Sequence, residues 1–219
     1  MTEAARVRTA VVTGQHPYDV PAFIECLGAL EGVAAYPQHM EDFCADAGGA
    51  RDNYGAAVFY HFHQATPTGE GPWYEAPMKA ALERIGQTEQ GIVVLHHALL
   101  AFRDWPFWVD LVGVQDRGFG YHVNQTLDIE IRQPDHPITR GLAPWTQLEE
   151  TYTMGEPGPD SEVLLTVEHP LSMKCLAWTR EFGQARVFCL QLGHDRAAFE
   201  HPSFREALSR GIRWVARRL

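Results

Sequence analysis

Apolar residues in the first half of the chain come in short unbroken runs: Thr9–Gly14 (TAVVTG), Gly32–Pro37 (GVAAYP), Gly55–His63 (GAAVFYHFH) and Gly91–Leu95 (GIVVL). After the first run, Val20, Phe23, Ile24 and Leu27 fall at i, i+3, i+4 and i+7, which predicts a helix introduced by Pro17 and Asp19. A second helix is predicted from Trp73 to Ile85. Strands that are apolar along their whole length are buried on both faces, so the pattern implies a parallel sheet covered by helices on either side.

The second half has a different rhythm. Thr126–Ile131 (TLDIEI) alternates, as an edge or antiparallel strand does. Ser161–Val167 is another strand, and Cys175–Leu192 reads as two strands joined near Gly183. Phe204, Leu208, Ile212 and Val215 form the inward stripe of a final helix from Ser203 to Arg217. No repeat, low-complexity tract or linker interrupts the series, so residues 1–219 are expected to form a single α/β domain.

Ligands of open α/β sheets bind at the C-terminal ends of the strands. Histidines gather at these ends: His16 after the first strand, His61 and His63 after the third, His96 and His97 after the fourth. His194 and Asp195, in LGHD, follow a later apolar strand. Neighbours in a strand point to opposite faces, so His194 and Asp195 can pair only across a turn, which Gly193 permits; otherwise Asp195 is a cap. Glu149 or Glu150, in EETYTM, could serve as general base, with Tyr152 as a donor to a substrate oxygen. Trp105 belongs to an aromatic group, with Trp73, Phe107 and Trp108, that could pack as core or stack on a sugar ring.

Charge and composition narrow the partners. The net charge of −10 argues against a nucleic-acid surface, and the arginines near the C-terminus (Arg213, Arg217, Arg218) suit a helix end. No secretory leader and no membrane-length apolar run is evident, so a cytoplasmic protein without a membrane partner is expected. The four cysteines (Cys26, Cys44, Cys175, Cys189) contain no CxxC pair and read as reduced thiols, none of them a nucleophile. The eleven histidines leave a divalent metal such as zinc open as a cofactor, with His16, His61 and His63 as candidate ligands. Tryptophans 73, 105, 108 and 145 could contribute to an exposed patch and so to a homo-oligomer.

Several motifs occur together and in order: GIVVLHHALLAFRDWPFW, HPITRGL, EETYTM, GQARVFCLQLGHD and FEHPSFREALSRGIRWV. In these the chain resembles the ThuA-like family, named for trehalose utilisation, over nearly its whole length. The resemblance implies a flavodoxin-like, class I glutamine amidotransferase-like three-layer sandwich with a mostly parallel central sheet. It also implies a carbohydrate as ligand. Amidotransferases of that fold carry a cysteine in the elbow after the corresponding strand. Here His96 or His97 takes its place, so glutamine thioester chemistry is not expected.

The functional expectation is acid/base chemistry on trehalose, a related glycoside or a keto-sugar at a histidine-rich cleft, by an isomerase or a hydrolase. His96, His97, His194, Asp195 and Glu150 are the candidate catalytic groups. His16, His61, His63, Tyr152 and Trp105 are the candidate substrate contacts. A metal-dependent hydrolase and a non-catalytic sugar- or partner-binding module are the alternatives.

Overall fold

The computed structural model describes residues 6–219. Four strands open the chain: β1 (Val7–Gly14), β2 (Val33–His39), β3 (Ala56–His61) and β4 (Gly91–Leu95). Helices α1 (Val20–Ala29), α2 (Met40–Ala45), α3 (Glu75–Leu82) and α4 (Pro106–Val112) follow them in turn, the last after a 3-10 segment, His96–Leu100. Five strands come next: β5 (Gly120–Ile131), β6 (Trp145–Thr153), β7 (Glu162–Thr166), β8 (Cys175–Phe182) and β9 (Ala185–Leu190). Helices α5 (Arg196–Glu200) and α6 (Pro202–Val215) close the chain.

All nine strands join one sheet in the order β2-β1-β3-β4-β9-β8-β7-β5-β6. Four pairings, from β2 to β9, are parallel and four, from β9 to β6, are antiparallel. The sheet is therefore mixed, not mostly parallel. The reason lies in the connections. A parallel return needs a crossover of about a dozen residues or more, usually through a helix, and no helix lies between β5 and β9. Only residues 183 and 184 separate β8 from β9, with Gly183 at φ +59°, and a turn of that length forces an antiparallel pair.

Side-chain alternation divides the core. Val11, Val58, Tyr60, Val93, Leu95 and Phe188 pack on one face with Phe23 of α1 and Phe204, Leu208 and Ile212 of α6. Val12, Phe59, Val94 and Val187 pack on the other with Met40 of α2, Leu82 of α3 and Trp108 and Leu111 of α4. α1 begins where Asp19 accepts the Ala22 N–H at 3.0 Å. α6 begins at Pro202, with the His201 side chain accepting from the Ser203 N–H. It lies so close to β4 that a Cβ on Gly91 would sit 2.5 Å from the Val215 backbone, which admits only glycine there.

Some predicted boundaries shift. β3 stops at His61, and the predicted 73–85 helix is Glu75–Leu82. Trp105 and Trp108 are core residues and Trp73 is exposed, so the tryptophans do not form a common surface patch. All four cysteines are free, and Cys189 stands opposite Trp178 in the β8–β9 pair. Among the described residues no helix is long and apolar enough to cross a membrane.

Candidate functional site

β4 ends in an elbow. His96 takes φ +50°, a conformation that costs an L-residue energy and recurs at functional sites. The turn aims His96 at the end of β6 and leaves His97 on the side of Tyr60, with the two imidazole planes at 82°. Arg117, buried, braces the same segment by donating to the carbonyls of Leu99 and Ala101.

The long β5–β6 hairpin supplies the other half. β5 pairs with β7 only at Glu130 and Ile131; its earlier residues pair with β6, across a bulge near Asn124. The far end of β6 thereby reaches the end of β9, where the Gln191 side chain donates to the Glu150 carbonyl at 2.7 Å. Gly193, at φ +115°, turns the chain after β9 so that the N–H groups of Gly193 and His194 both reach the Glu149 carboxylate, at 2.7 and 3.0 Å. Glu149 also accepts from the Glu150 N–H and the Gln147 side chain. Burial pushes its carboxyl up to about 8, against the backbone donors that favour the ionised form. With its oxygens occupied, Glu149 is a strut. Glu150 is the carboxylate that reaches the cavity.

His96 is fully buried, and both its nitrogens are engaged. Nδ1 lies 2.6 Å from the Gln191 carbonyl, which can only accept, so Nδ1 carries the proton. In the neutral ring Nε2 then accepts from the Tyr152 hydroxyl at 2.6 Å. Burial lowers the His96 pKa, although Glu150 and the Gln191 carbonyl pull the other way. Glu150 Oε1 is 3.6 Å from His96 Nε2, and its Oε2 is 3.5 Å from His194 Nε2. Burial alone would raise the Glu150 pKa, but the two imidazoles outweigh it and the net shift is downward. Tyr152 is pushed well above its ordinary value by burial and by Glu150, so its hydroxyl keeps its proton.

A cavity of about 340 Å³ opens over this cluster, between Phe62, Leu100, Phe119 and Tyr121 and the polar groups of His16, His97, Glu150 and Tyr152. His16 stacks on His97 with ring centres 4.1 Å apart, and burial lowers the pKa of both.

The expected residues thus separate. His16, His96, His97, Glu150, Tyr152 and His194 come together. Asp195 caps α5 through the Ala197 N–H, with Oδ2 3.8 Å from His194 Nδ1. His61 and His63 lie among Phe59, Phe102 and Trp108 on the opposite face of the sheet. Trp105 packs on Phe102 and Phe107 there. The suggested ligand set of His16, His61 and His63 is therefore not assembled; among the described residues the group within ligating distance is His96, Glu150 and His194.

Sequence reasoning missed Gln191, Phe119 and Tyr121, and gave Glu149 no supporting role. The adjacent carboxylates of Glu149 and Glu150, ahead of Tyr152, were the available signal. Nothing local marks Gln191, whose role comes from where β6 arrives.

Solved structures share the fold. A ThuA-like protein from Parabacteroides merdae superposes with a TM-score of 0.76 at 20% identity, covering 96% of this chain and 90% of that one. A cytoplasmic protein from Salmonella typhimurium gives 0.67 at 13% identity, over 94% and 98%. A glutamine amidotransferase from Thermotoga maritima gives 0.53 at 8%, over 96% and 98%. No curated protein matches the chain. The family model described as "ThuA: Trehalose utilisation" matches residues 47–215, which include the elbow, the end of β6 and the turn after β9. The chain belongs to the ThuA family.

Proposed function

We propose that this protein acts on a small carbohydrate, trehalose or a related glycoside or keto-sugar, by proton transfer at the floor of the cavity. The observation that carries the proposal is the buried contact of neutral His96 with Tyr152, beside Glu150, at the base of an aromatic-walled pocket. Burial and neighbouring groups give the members different tasks, as acid/base sites require. Tyr152 stays protonated, and its single hydroxyl proton, held by His96 Nε2 in this structure, turns to a substrate oxygen when a ligand enters. Glu150 stays ionised and accepts a proton, with His96 and His194 adjoining it. Phe119 and Tyr121 offer faces to the apolar side of a sugar ring.

The carboxylate arrangement bears on the reaction type. Glycosidases generally use two carboxyl groups on either side of the scissile bond. Here Glu149 is saturated by donors and Asp195 is committed to a helix cap, so Glu150 acts alone. One carboxylate with a phenol and imidazoles suits proton abstraction beside a carbonyl, as in isomerisation of a keto-sugar or elimination from it.

The test is incubation with trehalose and its keto derivatives in heavy water, followed by NMR. Deuterium uptake at carbon beside the carbonyl, or product formation, is expected, and Glu150→Gln and Tyr152→Phe should remove it. Binding without any exchange would identify a non-catalytic sugar module, and neither binding nor exchange would overturn the carbohydrate reading.

A further inference from the structure

We propose that His96, Glu150 and His194 form one face of a divalent transition-metal site open to the cavity. This goes beyond the sugar reading and does not depend on it. One ligand atom from each of the three lies within 4.8 Å of the others. Zinc-class ions, with ligands at about 2.0–2.2 Å, hold neighbouring donor atoms roughly 3–3.5 Å apart. The two histidine–carboxylate separations, 3.6 and 3.5 Å, are already close to that range.

The outer partners favour the same use. A metal-binding imidazole generally gives its second nitrogen to a carbonyl or carboxylate, which fixes the tautomer. His96 Nδ1–H donates to the Gln191 carbonyl at 2.6 Å, which leaves the Nε2 lone pair toward Glu150; an ion there would take the place of the Tyr152 hydroxyl proton that Nε2 now accepts at 2.6 Å. His194 has its Nδ1 3.8 Å from the Asp195 carboxylate and its Nε2 toward Glu150. Two imidazoles and one carboxylate suit zinc, iron(II) or manganese better than calcium, which takes oxygen donors.

The remaining coordination positions would face the cavity, which Glu150 lines. His16 stands beside them, its ring centre 6.3 Å from that of His194 and its Nδ1 buried without a partner. An ion here would polarise a carbonyl or hydroxyl oxygen of a bound ligand. The other histidine pair is a poorer site: His61 Nδ1 and His63 Nδ1 are 3.3 Å apart, but among the described residues no third ligand joins them.

The test uses the full chain without a histidine tag, stripped with chelator and titrated with zinc(II) and manganese(II) by calorimetry. Elemental analysis after dialysis gives the stoichiometry, and cobalt(II) absorbance reports the geometry. One ion per chain is expected. Glu150→Gln and His194→Ala should each weaken binding by more than about 100-fold, above the usual cost of losing an outer partner, and alter the cobalt spectrum. His63→Ala should leave the stoichiometry at one. Glu150→Gln is near-isosteric and His194 is partly exposed, and melting curves establish that each variant is folded. No uptake by the wild-type chain, or uptake unchanged in both folded variants, overturns the site. Sugar titrations on the same samples keep the proposals apart: metal uptake without a sugar response removes only the carbohydrate reading, and a sugar response without uptake removes only this one.

Discussion

His96 and His61 are both fully buried histidines at the ends of adjacent parallel strands, yet they occupy opposite kinds of surroundings. His96 uses both nitrogens and meets a carboxylate, a phenol and a cavity. His61 sits among aromatic rings with Nε2 lacking a partner, and its contacts through Nδ1 go only to His63. Both have pKa values lowered by burial. A strand-end histidine is therefore not a site by position alone. The polar groups brought from elsewhere in the chain make the difference, and here they come from the antiparallel β5–β6 hairpin.

The largest effect that would break the comparison is on turnover. If proton transfer belongs to the His96 side, Glu150→Gln should lower the rate by about 10²–10⁴-fold. His63→Ala should leave it near the wild-type value, and steady-state kinetics on the responsive sugar measures both. Equal losses would mean that the two groups work together.

A smaller effect concerns stability, with different consequences expected for the two histidines. His96→Phe strands the Gln191 carbonyl and the Tyr152 hydroxyl, at about 1–3 kcal/mol for each buried group left unpaired. His61→Phe removes a buried nitrogen that has no partner and should change stability by less than about 1 kcal/mol or raise it. Urea unfolding of both variants decides; a larger loss for His61→Phe would show that its polar contacts had been undervalued.

The acid limb sharpens the contrast further. Burial lowers His61 well below the usual imidazole value of 6.5 and His63 to about 4. A group depressed in the folded state takes up protons more readily when unfolded, so its contribution is present above 6.5 and lost as pH falls toward the folded value. Stability should therefore decline between pH 6.5 and 4, and His63→Gln should flatten that decline in melting temperatures measured across the range.

The smallest expected effect tests Asp195. Asp195→Ala removes the cap on α5 and should cost about 0.5–2 kcal/mol, while Asp195→Asn should restore most of it. A turnover loss in Asp195→Asn much beyond its stability change would give this carboxylate a part in orienting His194.

Much of the parallel half was legible in the chain. The apolar runs Thr9–Gly14, Gly55–His63 and Gly91–Leu95 became β1, β3 and β4, with β3 stopping two residues early at His61, and the stripe from Phe204 to Val215 became α6. Their periodicity is local, and burial on two faces leaves little choice of residue type. The site was legible as a set of strand ends and as the residue types His96, Glu150, Tyr152 and His194. It was not legible as a constellation. Trp105 and His63 carry the same local signals as Tyr121 and His97, yet pack on the other face. A helix is expected after the fourth strand, but the bounds of α4, which places Trp108 against Phe59 and His61, were not legible: from Pro106 to Val112 it is too short for a clear period.

By itself the sequence determined the alternation of buried strands and helices, the absence of an elbow cysteine, and the supply of histidines at the sheet's C-terminal edge. These depend on side-chain type and on spacings of a few residues. Only the tertiary structure decided that half the pairings are antiparallel, that His96 turns at φ +50° toward Tyr152, and that Glu149 supports the turn while Glu150 faces the cavity. Those outcomes depend on contacts between residues 41 to 95 positions apart, such as Glu150 with Gln191 and Gln191 with His96, whose geometry local propensity does not encode.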